Sequence, residues 1–175
     1  MYNDKIKYAG IGSRQATDEV LENILEIGQE FADRGYILRS GGANGVDQFF
    51  EIGCNLGGGE KEIFLPWKNF NNNKSFRFEV GEDALAMGEK FHPRWDRLSE
   101  KAKLLISRNS YQILGEELDD PVNFVVCWTP EGKEIGGTAQ GIRIANFYKI
   151  PIFNLGKGLT PKELYDMLDK LIMFV

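Results

Sequence analysis

The chain has 175 residues and a formal net charge of −5 at pH 7; 27% of its residues are charged and 42% are apolar. The length suits one domain with a substantial core, and the composition is that of an ordinary soluble globular protein. The acidic balance argues against a protein that binds phosphate backbones, so nucleic acid is not an expected partner. No apolar run is long enough for a membrane span, and the N-terminus lacks the apolar core of a signal peptide. These features predict a cytoplasmic protein.

In the first third of the chain, the spacing of apolar residues alternates between that of a strand and that of a helix. The predicted elements are a strand at 6–13, a helix at 17–35, a strand at 36–40, a helix at 46–57 and a strand at 61–66. In the first helix Thr17 suits the N-cap and Gly35 the C-terminal stop, while Val20, Ile24, Ile27 and Phe31 form a buried stripe. Strand and helix therefore follow each other from the start.

The middle of the chain is less regular. Residues 67–94 are polar and rich in asparagine, which predicts a loop with a short helix across 82–90. We interpret 66–94 as an insertion in a single domain of residues 1–175, with the possible role of a lid. Residues 96–109 are predicted to form one helix, with Leu98, Ala102 and Leu105 on one face.

The last third returns to regular alternation. The predicted elements are a strand at 122–128, a helix at 136–149, a strand at 151–155 and a helix at 160–174. The run "VNFVVCW" is nearly all apolar, as a central parallel strand must be when both its faces are buried. Thr160 and Glu163 have the spacing of a capping box around Pro161. Strands that alternate with helices predict an α/β fold with a doubly wound, mainly parallel, Rossmann-like sheet, and we expect a strand order near 3-2-1-4-5.

Two cysteines, Cys54 and Cys127, lie in apolar surroundings and are predicted to be buried, reduced thiols. The only histidine, His92, precedes a proline in the predicted insertion, where a structural role is commoner than a catalytic one. Neither residue type has the spacing of a metal site, so we expect no metal and no cofactor.

Three turns should lie together, because the carboxyl ends of parallel strands share one edge of the sheet. They are turn A, "GIGSR" (10–14); turn B, "SGGANGVD" (40–47); and turn C, within "TPEGKEIGGT" (129–138). A glycine turn that leads into a helix exposes backbone N–H groups to an anion. Gly136, Gly137 and Thr138 of turn C offer the better phosphate site, because no acid follows in the first helical turn. Glycines that only serve tight turns and close packing are the alternative explanation.

Asp47 of turn B has two interpretations. If Asn44 caps the following helix, Asp47 occupies its third position, where a carboxylate stabilises the helix end. Alternatively, Asp47 accepts a hydrogen bond from a sugar hydroxyl or a base amine of a ligand whose phosphate lies elsewhere.

These motifs resemble the DprA-like proteins of the SLOG superfamily. "SGGANGVD" is similar to their serine–glycine signature and "GIGSR" to their first turn; "SRNSYQILG" (107–115) resembles their Arg-Asn stretch and "GGTAQGIRIA" (136–145) their last glycine turn. The pieces "LPW", "HP" and "CWTP" look most like small stand-alone members common in bacteriophage genomes. The resemblance implies a Rossmann-like domain that binds nucleotides or nucleotide-derived ligands. For a viral chain, the location would be the host cytoplasm.

The sequence also departs from relatives of known activity. The LOG-type phosphoribohydrolases of the superfamily have a catalytic glutamate at the end of the motif Gly-Gly-x-Gly-Thr-x-x-Glu. When Gly137-Thr138 is aligned with the Gly-Thr of that motif, Gly141 occupies the position of the glutamate. Glu131 and Glu134 are the nearest carboxylates; with Asp47 they are the weak catalytic candidates. DprA itself continues into a winged-helix-like tail, whereas this chain ends after its last predicted helix.

The turns, the resemblance and the chemistry of individual side chains together define an expected ligand site. Arg14 could bind phosphate with both guanidinium arms, and Trp128 could stack on a base or pack in the core. Arg39 interrupts an apolar strand end, so it could point toward the crevice or form an ion pair at the edge of the sheet. The expected ligand-binding residues are Gly12, Ser13, Arg14, Arg39, Ser40, Gly41, Gly42, Ala43, Asp47, Arg108, Asn109, Trp128, Thr129, Gly136, Gly137 and Thr138.

Three functions remain open from the sequence. The first is a sensor or sequestering protein for a nucleotide-derived small molecule, which in a virus could capture a host signalling nucleotide. The others are an N-glycosidic hydrolase acting on nucleoside phosphates and a single-stranded DNA-binding accessory factor. Whether identical copies form a homo-oligomer is also open.

Overall fold

Five parallel strands form the central sheet of the protein. The computed structural model describes residues 4–174. The strands are β1 (Lys7–Gly12), β2 (Ile37–Ser40), β3 (Lys61–Ile63), β4 (Phe124–Trp128) and β5 (Ile152–Asn154). Their spatial order is β3-β2-β1-β4-β5 and every pair is parallel, which confirms the predicted topology. Strand order reverses between β1 and β4, so a crevice is expected at the carboxyl ends of these two strands.

Helices cover both faces of the sheet. They are α1 (Asp18–Asp33), α2 (Val46–Leu56), α3 (Glu82–Phe91), α4 (Glu100–Ser107), α5 (Asn109–Leu114), α6 (Thr138–Phe147) and α7 (Pro161–Met173). The predicted caps are present: the Thr17 side chain accepts from the Val20 amide at 3.4 Å, and Thr160 and Glu163 form a capping box. These local bonds satisfy amides that the first helical turn leaves without partners.

Alternate side chains of the strands supply two separate cores. Tyr8 and Phe124 belong to the core shared with α1, α2 and α7, whereas Ala9 and Val125 belong to the core shared with α5 and α6. Cys54 and Cys127 are buried free thiols, as predicted, and lie in different cores. Within residues 4–174, no helix combines the length and the hydropathy needed to cross a bilayer.

The predicted helix at 96–109 is wrong. A short 3-10 turn spans Trp95–Arg97, and α4 begins only after Ser99, whose hydroxyl accepts from the Ala102 amide at 3.2 Å. The chain then bends at Arg108 into α5, a helix that the sequence did not reveal. The apolar spacing of Leu98, Ala102 and Leu105 suited a single helix, but the local serine cap sets a later start.

The segment 66–94 packs along the β3 edge and over the second face of the sheet. Asn71 donates from Nδ2 to the carbonyl of Gly42 at 3.0 Å, and the Ser75 hydroxyl donates to the carbonyl of Ile63 at 2.6 Å. Its helix α3 lies close to the predicted 82–90 and packs against α4, α5 and α6. Its role as a lid remains a prediction.

Candidate ligand-binding cleft

Turns A, B and C meet at the carboxyl edge of the sheet, where they border a cleft of about 410 Å³. The cleft lies at the ends of β1 and β4, where strand order reverses. Its expected lining residues are Gly12, Ser13, Arg14, Ala43, Asp47, Arg108, Asn109, Gly136, Gly137 and Thr138. The sequence therefore located the cleft, and ten of its predicted ligand residues line it.

An apolar wall closes the other side of the cleft, and the sequence analysis did not assign it to the site. It is formed by Phe70, Leu98, Ala102, Leu105, Ile106, Pro130 and Ile135. The available signal was the apolar face of Leu98, Ala102 and Leu105, which we predicted without assigning it to a ligand site. Gln15 and Gln112 also line the cleft and were missed. Gln112 lies within "SRNSYQILG", but only Arg108 and Asn109 of that stretch were assigned to the site.

The floor of the cleft carries a buried carboxylate, Asp47. Its Oδ1 accepts from the Gly12 amide at 3.1 Å, and its Oδ2 accepts from the Ala43 amide at 3.4 Å. Asp47 thus joins turn A to turn B. The expected Asn44 cap is wrong: Gly45 is the N-cap of α2, and Asp47 is the second helical residue. The reason is close packing, because a Cβ at Gly45 would lie 2.9 Å from the Arg14 Cα.

Burial raises the pKa of Asp47 from 3.8 to about 6. The positive charge of Arg108 and the backbone N–H bonds oppose this shift, because both favour the ionised carboxylate. Burial in turn lowers the pKa of Arg108, and the Asp47 carboxylate opposes that effect. Among the residues that line the cleft, Asp47 is the only acid, whereas Arg14 and Arg108 are cationic.

Arg108 and Asn109 lie in the bend between α4 and α5 and are only 6% and 4% exposed. Arg108 donates to the Gly41 carbonyl at 3.2 Å and to Asn109 Oδ1 at 2.5 Å. Asn109 donates from Nδ2 to the Gly137 carbonyl at 2.9 Å. The sequence predicted both residues as ligand contacts; the structure places both in the cleft lining with backbone partners.

Turn C presents a different surface. Within residues 4–174, no group accepts a hydrogen bond from the amides of Gly136, Gly137 or Thr138, and no side chain caps α6. A Cβ at Gly136 or Gly137 would meet no atom within 4 Å. Gly136 has a φ of 67°, which favours glycine, but Gly137 has the helical values φ −65° and ψ −33°. Neither space nor backbone conformation requires glycine at 137, which leaves close approach by a ligand as an explanation.

The glycines of turn B serve packing instead. A Cβ at Gly41 would lie 2.0 Å from Gln112 Nε2 and 2.7 Å from Arg108 Cζ. Gly42 has a φ of 66°, and its Cβ would lie 2.7 Å from Leu65 Cδ2. Neither glycine lines the cleft, contrary to our expectation, because the side chains of Gln112 and Arg108 cover Gly41 and that of Leu65 covers Gly42.

Four other expected ligand residues also lie outside the cleft lining. Arg39 is 2% exposed and forms ion pairs with Glu62 at 2.7 Å and Asp120 at 2.5 Å, so its guanidinium is held beneath α5. The Ser40 hydroxyl donates to the Gly10 carbonyl at 2.7 Å, and Thr129 Oγ1 accepts from Asn154 Nδ2 at 2.8 Å. The Trp128 side chain packs against the core on the α1 face. Strand alternation explains these positions, because each side chain points into a core or towards a neighbouring strand.

The weak catalytic candidates in turn C do not line the cleft either. Glu131 pairs with Lys133, and Glu134 lies 3.9 Å from Arg143 at the protein surface. His92 is also outside it, and burial together with Arg143 lowers its pKa. Within residues 4–174, no three His, Cys, Asp or Glu side chains are grouped closely enough to hold a metal ion.

The strand order and the helices on both faces of the sheet define a Rossmann-like α/β fold, which this chain shares with DNA processing protein A and the Moco carrier proteins. The agreement lies in the fold, since the sequence identities to these proteins are only 15–20%.

Comparison with solved structures gives three examples. The Moco carrier protein of Chlamydomonas rheinhardtii is 20% identical over 87% of this chain and 76% of that protein, with a TM-score of 0.54. DNA processing protein A from Streptococcus pneumoniae is 15% identical over 86% of this chain, which spans 50% of that protein, with a TM-score of 0.55. Its counterpart from Helicobacter pylori, described for a unique single-stranded DNA binding mode, is 18% identical over 85% of this chain and 64% of that protein, with a TM-score of 0.52. A scan of protein-family models found no match, and a search of curated proteins found no relative.

Proposed function

We propose that this protein binds a nucleotide-derived small molecule in the cleft, as a sensor or a sequestering protein. The observation that carries the proposal is the convergence of turn C's unpartnered amides with Arg14 and Arg108 in a cleft that contains a single acid. Backbone amides at the start of a helix and a nearby arginine are a recurrent arrangement for phosphate.

A nucleotide matches the division of the cleft into polar and apolar parts. Its phosphate would lie against Gly136–Thr138, within reach of the exposed Arg14, and its base against the wall of Phe70, Leu98 and Leu105. The volume of about 410 Å³ falls in the range of small-molecule sites, about 300–1,000 Å³. Capture of a host signalling nucleotide by a viral protein is one biological form of this function.

We assign Asp47 to the support of the turns rather than to catalysis, because both of its oxygens already accept backbone hydrogen bonds. Turn C offers no replacement, since Glu131 and Glu134 point elsewhere. Binding without turnover therefore ranks above N-glycosidic hydrolysis of nucleoside phosphates.

The fold neighbours are compatible with two kinds of ligand. A fourth neighbour, from Rippkaea orientalis, is a molybdenum cofactor binding protein (18% identity, TM-score 0.50), so this fold accommodates a small ligand there. The H. pylori DNA processing protein A binds single-stranded DNA. The comparisons thus give no support to our expectation that nucleic acid is not a partner, and single-stranded DNA binding is the second candidate function.

A panel of ligands tests the first proposal. Purified protein is screened by thermal shift and calorimetry against AMP, ADP-ribose, cyclic dinucleotides and the molybdenum cofactor. We expect AMP or a related compound to raise Tm, and Arg14→Ala to weaken its binding by about tenfold through loss of a charge-assisted contact. Arg97→Ala is the matched control, because Arg97 is an exposed arginine outside the cleft lining. Equal losses in both variants, or no ligand that raises Tm, would refute the proposal.

The alternatives give different results in the same assays. Submicromolar binding of a single-stranded oligonucleotide at about 150 mM salt, with affinity falling steeply as salt rises, would favour the DNA function. Steady release of free base from AMP by the wild type, abolished in Glu131→Gln or Asp47→Asn, would favour the hydrolase.

A further inference from the structure

A continuous set of buried polar side chains contacts the backbone of all three turns. Asp47 accepts from Gly12 of turn A and from Ala43 of turn B. Arg108 donates to the carbonyl of Gly41 in turn B, and Asn109 donates to the carbonyl of Gly137 in turn C. We call Asp47, Arg108 and Asn109 the floor triad. Its members come from α2 and from the bend between α4 and α5, distant in sequence from turn C.

Arg108 connects the other two members of the floor triad. Its guanidinium donates to Asn109 Oδ1 at 2.5 Å, and its charge attracts the Asp47 carboxylate. A third bond, to the Leu105 carbonyl at 3.3 Å, fixes it to the end of α4. Arg108 is therefore held by α4, turn B and Asn109, and a displacement of its side chain would change all three contacts.

Asn109 and the Gln140 amide together fix the orientation of a peptide group in turn C, because both donate to the Gly137 carbonyl, at 2.9 Å and 3.2 Å. Because Arg108 donates to Oδ1, the Nδ2 group of Asn109 is the one that faces turn C. The carbonyl and the following N–H of a planar peptide point in opposite directions, so anchoring the Gly137 carbonyl also sets the direction of the Thr138 N–H. That N–H is one of the amides without a partner within residues 4–174.

We propose that Arg108 and Asn109 are positioning residues that hold turn C in its ligand-binding orientation and couple it to turns A and B. This inference rests on the proposed function of the cleft. It assigns the two residues a role in holding the turns, in addition to their place in the cleft lining. The coupling predicts that a disturbance at Asn109 reaches residues of turn A that Asn109 does not touch.

Two substitutions separate the contacts of Asn109. Asn109→Asp keeps the oxygen that Arg108 binds but replaces the group that donates to Gly137, whereas Asn109→Ala removes both contacts. The matched control is Asn146→Ala, an asparagine that is exposed on α6. Backbone amide chemical shifts and hydrogen exchange of the ligand-free proteins provide a readout that requires no ligand.

We expect Asn109→Asp to change the amides of Gly136, Gly137 and Thr138 and to leave Gly12 and Ala43 near their wild-type values. Asn109→Ala should change both groups, because it also releases Arg108, and Asn146→Ala should change neither. If Asn109→Ala does not fold, Asn109→Asp still tests the link to turn C. Changes confined to residues 107–111 in every folded variant would overturn the proposal.

A second measurement separates this inference from the proposed function. AMP is titrated into each variant, and we expect Asn109→Ala to weaken AMP binding by about tenfold or more, with Asn146→Ala unchanged. If turn C changes but AMP binds with wild-type affinity, the positioning role is wrong and the proposed function stands. If AMP changes no cleft amide in the wild type, the proposed function fails for AMP, while the shifts of the ligand-free variants still decide the coupling.

Discussion

Turns B and C both contain two adjacent glycines between a strand and a helix, but their glycines have different surroundings. In turn B a Cβ at Gly41 would collide with Gln112 and Arg108, whereas in turn C a Cβ at Gly137 would meet nothing within 4 Å. Turn B is therefore glycine-rich because buried side chains pack directly onto its backbone. Turn C is open, and its amides remain available. The Gly-Gly dipeptide thus allows close packing of buried side chains in turn B and lines the open cleft in turn C.

The largest expected effect is a pH dependence of stability that originates at turn B, because Asp47 is the titrating group beneath that turn. Its pKa is raised in the folded protein to about 6, from 3.8. Because the pKa is raised, the protonated Asp47 carboxyl makes its full contribution to stability below the pKa of the unfolded chain, 3.8. That contribution is lost as pH rises through about 6. Between pH 4 and pH 7 the wild type should lose about 2 kcal/mol of unfolding free energy relative to Asp47→Asn. Urea unfolding of both proteins at several pH values measures this difference, and a constant difference would contradict the prediction.

Substitution within turn B should lower stability next. Gly41→Ala places a methyl group 2.0 Å from Gln112 Nε2. Gln112 is 1% exposed and has little room to move, so we expect a loss of about 2 kcal/mol in unfolding free energy. Urea unfolding at pH 7 measures it. A loss smaller than about 0.5 kcal/mol would show that the floor of the cleft adjusts freely.

The same substitution in turn C should have the smallest effect on stability. Gly137 has helical φ and ψ and open space, so Gly137→Ala should change the unfolding free energy by less than about 1 kcal/mol, with stabilisation expected. AMP affinity should nevertheless fall, because the methyl group would occupy space next to the free amides. Calorimetry with AMP and urea unfolding on the same sample test both parts. Undiminished AMP binding would mean that the ligand does not approach Gly137.

The comparison also revises the role of Gly42. We expected Gly42 to be a ligand-binding residue, but a Cβ there would face Leu65 rather than the cleft. With a φ of 66°, Gly42 is required by the backbone of turn B itself.

The sequence by itself determined all the strands, most of the helices, their order and the sheet edge at which the three turns meet. Helix stripes and caps such as Thr17 and Thr160–Glu163 depend on residues three or four positions apart, so they are visible in the sequence. Alternation of strands and helices then restricts the topology to very few arrangements, of which β3-β2-β1-β4-β5 is one.

Only the tertiary structure decided which polar side chains reach the cleft. Arg39 and Arg14 are both arginines near the ends of neighbouring strands, yet Arg39 is neutralised by Glu62 and Asp120, while Arg14 is exposed at the cleft. The partner of Asn109 in turn C is 28 residues away in the chain, and the partner of Arg108 in turn B is 67 residues away. Contacts over such separations depend on how the helices pack, and the periodicity of a single segment contains no information about them.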